Sequence, residues 1–97
     1  MKKLLGMSAL MVVVLPSIVQ ANDVRLERAI YADPAYQSNV DKARLELQNR
    51  GYQIRKIEAD EHQGKKTLEV KAAKNGSAYD IRLDYPSLKI ISEKRDN

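Results

Sequence analysis

His62 is the only histidine of the chain, and there is no cysteine. A multi-histidine metal site therefore cannot be built within one chain, and a hydrolytic triad would rest on that single ring. What remains is Asp60-Glu61-His62, three consecutive groups that are weak candidates for a metal at a loop. A charged hairpin tip is the ordinary explanation of such a run, because a metal site needs ligands that converge. Beyond residue 21 the serines are Ser38, Ser77, Ser87 and Ser92, each placed where a cap, a turn or a strand end is expected and where a hydroxyl has local use. None lies in a Gly-x-Ser-x-Gly elbow, and the adjacent Asp60 and Glu61 read as solvated surface rather than as an acid and base. The chemistry-bearing residues point away from an enzyme: no catalytic residues and no cofactor are expected.

Binding residues are better represented. Lys65, Lys66, Lys71 and Lys74 would form a basic patch suited to an anionic polymer or lipid headgroups, although lysine is also the usual guard of strand edges. Tyr52, Ile54, Tyr85 and Ile91 form an apolar surplus beyond the residues needed for one sheet face. Either the first helix covers them, or they are the partner-binding surface, or a homodimer contact; Tyr31 and Tyr36 could belong to either arrangement. The chain carries a formal charge of +4, half of it from Lys2 and Lys3. Opposite charges alternate elsewhere, so there is no basic stripe to argue for nucleic acid.

The start of the chain reads as a secretory signal peptide. Lys2 and Lys3 precede an uncharged run over 4–19 rich in Leu and Val, Pro16 interrupts its end, and Val19-Gln20-Ala21 offers small residues at the two positions a signal peptidase reads. Cleavage after Ala21 is expected. An uncleaved anchor is the competing reading, but the run is shorter than the roughly 20 apolar residues a span requires. Without a cysteine there is no site for a lipid anchor, and the periplasm is the expected compartment. The chain divides into a signal peptide over 1–21, a segment over 22–38 with a short helix over 23–32, and a domain over 39–97. A domain so small buries only about 60% of the surface of its unfolded chain, and here no disulfide can assist it.

Val40, Ala43 and Leu47 recur at spacings of three and four, with Ser38 or Asn39 as caps and Gly51 as the stop, which predicts an amphipathic helix over 39–50. From there the period changes to alternation, predicting strands over 52–60, 66–73, 78–84 and 88–93. Asn75-Gly76 as a two-residue loop fixes a register that can be tested against itself. It sets Ala72, Val70 and Leu68 opposite Tyr79, Ile81 and Leu83 on one face, and Lys71 and Glu69 opposite Asp80 and Arg82 on the other. Gln63-Gly64 as the preceding loop sets Ile57 against Val70 and Ala59 against Leu68, provided a bulge near Arg55-Lys56 corrects the phase of the first strand. A turn at Tyr85-Pro86 would set Leu83 against Leu88 and Ile81 against Ile90. The expected fold is α+β: one or two short helices packed on a four-stranded antiparallel sheet, a helix followed by a β-meander.

The closing pattern Tyr79-Asp80-Ile81-Arg82-Leu83-Asp84, a short turn and Leu88-Lys89-Ile90-Ile91, following a signal peptide and a helix, resembles the PepSY family over about 40–94. The family's turn carries a glycine where Leu88 stands, and Pro86 is expected to supply the turn here. The resemblance implies one helix on a small antiparallel sheet, no catalytic residues, and a module that binds or restrains a peptidase or another periplasmic protein. The alternative is a periplasmic sensor or accessory protein that takes a cation or an anionic polymer at Asp60, Glu61 and His62 or at the lysines.

Overall fold

A computed structural model describes residues 16–96. Two helices, α1 (Pro16–Tyr31) and α2 (Tyr36–Asn49), precede four strands, β1 (Gln53–His62), β2 (Lys65–Lys74), β3 (Ser77–Asp84) and β4 (Ile90–Arg95). The strands pair in the order β1-β2-β3-β4, all antiparallel, as a meander. The fold is the expected α+β arrangement. The positive start and the apolar run of the expected signal peptide, through residue 15, lie outside the described residues.

The helix expected over 23–32 begins earlier, at Pro16, a residue whose fixed φ suits the first turn of a helix. Pro34 stops it, since the residue before a proline is pushed out of helical backbone. The same corner corrects the start of α2. Its cap position is Ala35, which has no side-chain acceptor to offer, and neither Ser38 nor Asn39 caps it. Ser38 instead donates to the Ala35 carbonyl at 3.2 Å, and Asn39 reaches across to the Tyr85 hydroxyl at 3.1 Å. Asp33 organises the corner by accepting the Ala35 N–H at 2.9 Å, which lets the helix begin at Tyr36, ahead of the cap the sequence offered.

α2 buries Val40, Ala43 and Leu47, the stripe read from spacing. At its end the Gly51 N–H donates to Gln48 O at 2.9 Å and the Tyr52 N–H to Leu47 O at 3.1 Å. This paired closure needs left-handed backbone between the two bonds, and Gly51 supplies it with φ +96°. The chain thereby reverses into β1 with Leu47 and Tyr52 both in the core.

The central hairpin has the register that Asn75-Gly76 imposes, with Leu68 against Leu83, Val70 against Ile81, Ala72 against Tyr79, and Lys71 and Glu69 against Asp80 and Arg82. In the first hairpin Ile57 faces Val70 and Ala59 faces Leu68, and the register shifts between Ile54 and Lys56 where the bulge was required. On the helix side the core gathers Ile30, Leu47, Leu68, Val70, Ile81 and Leu83, all nearly sealed from solvent. The other side is an ionic lattice: Lys71 meets Asp80 at 2.7 Å, and Arg82 meets Asp60 at 2.9 Å and Glu69 at 3.8 Å. Thr67 is fully buried beneath it, donating to Asp60 O at 3.1 Å and accepting from Arg82 at 3.2 Å.

The last hairpin departs from expectation. Leu83 pairs with Ile90, not Leu88, and Ile81 pairs with Glu93, not Ile90, with a shift between Arg82 and Leu83. The reason is Tyr85. Its N–H extends the β2–β3 ladder to Lys66 O at 3.1 Å and its ring enters the core, so the chain turns from Tyr85-Pro86 as expected but through a longer loop. It turns over 85–89, closed by Asp84 N–H to Lys89 O and Leu88 N–H to Asp84 O, both 2.8 Å. Leu88 takes φ +67° to do so.

The Tyr85 hydroxyl donates to Asp33 at 2.7 Å while accepting from Asn39. The Ala35 N–H, followed by the Tyr85 hydroxyl, holds the Asp33 carboxyl below the usual carboxylate range, and burial pushes the Tyr85 phenol up. Tyr85→Phe leaves the part-buried Asn39 amide and the Asp33 carboxylate without their common partner, and should cost about 1 kcal/mol by urea unfolding. A depressed carboxyl stabilises the fold fully above its unfolded value and loses that contribution as pH falls through the folded one. The stability gap between wild type and Asp33→Asn should therefore be widest at neutral pH and close below about pH 4, followed by urea midpoints.

Candidate docking groove and open sheet edge

A four-stranded meander has two edge strands, and they are treated differently. Along β1, the Ala59 N–H points away from β2 and donates to the Tyr31 hydroxyl at 3.2 Å. α1 also packs against β1, so this edge is guarded by a helix. Along β4 no element stands beside the strand among the described residues. The bonds from Asp84 N–H to Lys89 O and from Asp96 N–H to Ala78 O fix which residues face β3. Alternation then turns the N–H and C=O groups of Glu93 and Arg95 outward.

Beside this edge, on the helix side, a groove of about 880 Å³ runs between α2 and the end of the 85–89 turn. Leu45 stands on its α2 wall, Leu88 and Ile90 on the opposite wall. Leu45 is 59% exposed and Ile90 37%, while Leu88 is half-buried against the core. Arg50 is held by Glu46 at 3.2 Å. Lys42 and Lys89, also at the groove, make no ion pair among the described residues.

Of the arrangements left open for Tyr52, Ile54, Tyr85 and Ile91, packing within the fold is the one found for the first three, so the four do not share a partner surface. Tyr52 and Tyr85 are core residues, only 5% and 4% exposed, and Ile54 packs on the same cluster. Tyr52 lies edge-on to Tyr79 with centroids 5.6 Å apart, and the Lys74 ammonium sits 4.9 Å from its ring centroid. Ile91 alone is exposed, at the β4 register shift. The residues missed were Leu45 and Leu88. Leu45 was visible as the one leucine of α2 off the Val40-Ala43-Leu47 stripe, and the signal at Leu88 was that it stands where the family's turn carries a glycine, in the left-handed conformation that glycine favours.

Asp60, Glu61 and His62 lie in β1, where successive side chains alternate between faces and cannot converge. Asp60 is engaged by Arg82, and Glu61 accepts the Gly64 N–H. No group of three or more potential ligands comes together among the described residues. The lysines are likewise dispersed: Lys65 and Lys66 begin β2, Lys74 ends it, and Lys71 is tied to Asp80, whose carboxylate holds its ammonium above the ordinary range. No helix among the described residues is long and apolar enough to cross a membrane.

Compared with known proteins, the chain matches over residues 5–94 the family model PepSY, described as the peptidase propeptide and YPEB domain. Neither the curated proteins nor the solved structures gave a match.

The contrast between edges has a direct readout. The amides of Ser92 and Lys94, which face β3, should exchange with solvent more slowly than those of Glu93 and Arg95. The Ala59 amide should be protected in wild type and lose that protection in Tyr31→Phe, at a cost near 1 kcal/mol, measured by NMR hydrogen exchange.

Proposed function

The chain belongs to the PepSY family of peptidase-propeptide domains, and from that premise we propose that it is an exported, non-catalytic module that docks on an envelope peptidase and restrains it through the β4 edge. The observation that carries the reading is the asymmetry of the sheet. One edge is closed by Tyr31 and α1, while the other leaves backbone donors and acceptors free beside an apolar groove. Strand addition at such an edge draws its affinity from main-chain hydrogen bonds and needs no special side chains on the module. It also accommodates the dispersal of serines, histidine and carboxylates away from any common point, because a docking module requires none of them to act together.

The reading supposes export, with Asn22 as the first residue after cleavage. The protein recovered from the periplasmic fraction should begin at Asn22 by N-terminal sequencing; retention of residues 1–21 would oppose export by a cleaved signal.

Restraint is tested by adding the purified protein to an envelope extract and following hydrolysis of a protein substrate. Hydrolysis should fall in a dose-dependent manner. Leu45→Glu, an exposed change on the groove wall, should weaken the effect about tenfold with the unfolding midpoint unchanged. No inhibition at any dose would overturn the reading.

A further inference from the structure

The two faces of β4 specify what kind of strand would lie against it. Ile90 stands opposite Leu83 and Glu93 opposite Ile81, on the face the helices cover, whereas Lys94 stands opposite Asp80 on the uncovered face. A strand added along the edge would bond to the outward groups of Glu93 and Arg95 and turn alternate side chains to those two faces. On the helix side they would meet Leu45, Leu88 and Ile90 across the groove. On the uncovered side they would pass Lys94.

The charges around this path are unequal. Asp80 is already engaged by Lys71 at 2.7 Å, so it leaves Lys94 unpaired. Lys42, Lys89, Lys94 and Arg95 form no ion pair among the described residues, and the nearby carboxylates in no ion pair are fewer: Glu93, Asp96 and Asp84, the last accepting from the Ser87 hydroxyl. The edge therefore presents a local surplus of positive charge beside apolar walls. A second copy of β4 set antiparallel about Lys94 would bring Lys94 up to its own like charge, although Arg95 would then meet Glu93, whereas an acidic strand sets a carboxylate against Lys94.

We propose, building on the docking reading above, that the β4 edge takes an extended segment of the partner in which apolar residues alternate with acidic ones. The apolar side chains fill the groove between α2 and the 85–89 turn. The acidic ones face Lys94, and Lys42 and Lys89 draw the same charge at the groove's rim. Such complementarity sets the choice of partner and the rate of encounter more than the final affinity, and it weakens with salt.

The test titrates the ¹⁵N-labelled protein at low salt with two capped hexapeptides, Val-Glu-Val-Glu-Val-Glu and Val-Lys-Val-Lys-Val-Lys. The acidic peptide should shift the amides of Glu93, Arg95, Ile90 and Leu45 and bind about tenfold more tightly than the basic one, a difference near 1.4 kcal/mol. Glu93→Pro removes an outward N–H without removing a β3–β4 ladder bond and should abolish binding, while Glu93→Ala should retain it. Lys94→Glu, an exposed change, should reduce the preference for the acidic peptide or reverse it, and provides the test should Glu93→Pro not fold. If neither peptide binds, or both bind alike, while the protein still restrains peptidase activity, the alternating acidic strand is wrong and the docking reading stands. If the acidic peptide binds Glu93→Pro as well as Glu93→Ala, or Lys94→Glu leaves the ratio unchanged, the proposal falls.

Discussion

A buried phenol must find a hydrogen-bond partner or forfeit the solvation of its hydroxyl, and much of this structure follows from how Tyr85 meets that demand. Its ring lies in the core at the end of β3, and its hydroxyl reaches Asp33 in the α1–α2 corner and Asn39 in the first turn of α2. One side chain thus ties the helical layer to the end of the central hairpin. Because Tyr85 also stays in the ladder through Lys66, the reversal into β4 is delayed to residues 85–89. That delay shifts the register of β4 and sets Leu88 and Ile90 across from Leu45. The groove is a consequence of where one hydroxyl found its partners.

The sheet is closed on one side by packing and on the other by paired charges, so its remaining exposure is concentrated at strand edges. With no cysteine to staple them, edges are a hazard to so small a domain. Tyr31 meets the hazard at β1 by accepting a backbone N–H that β2 does not use. At β4 the guard is charge, in Lys94 and Arg95, and that guard acts selectively. Lys94 set against Lys94 opposes pairing with another copy about that residue, whereas a strand bearing a carboxylate there meets no such barrier. The residues that keep the edge from aggregating are therefore the same ones that would decide which strand is admitted.

What was legible in the sequence was whatever local chemistry fixes. Asn75-Gly76 determines the central register because a two-residue loop leaves one pairing, and the phase break in β1 demanded its bulge. The cap of α2 was misread because the organising group, Asp33, lies on the far side of Pro34 and acts through the Ala35 N–H. The register of the last hairpin was hidden for a related reason: the turn does take in Tyr85-Pro86, but only the helical layer supplies the partners that hold Tyr85 inside and lengthen the loop. The choice left open for Tyr52 and Tyr85, between packing inside the fold and a partner surface, turned on the same point and falls to packing. A sequence shows that apolar residues are in surplus, but the volume available to them depends on how two layers meet.

Leu88 shows how a local conflict can carry information. A branched residue held at φ +67° costs about 1–2 kcal/mol relative to right-handed backbone, and glycine would adopt that conformation freely. The PepSY pattern carries glycine at this turn, so the leucine is a departure that the backbone alone disfavours. Its side chain offsets the strain by packing half-buried against the core. The exposed remainder faces the groove, where it opposes Leu45 with Ile90 beside it. A glycine would relax the turn and leave that wall without its apolar side chain. The strained residue therefore belongs with the groove as much as with the fold, and the chemistry of what the groove accepts is written in part by a side chain the turn did not need.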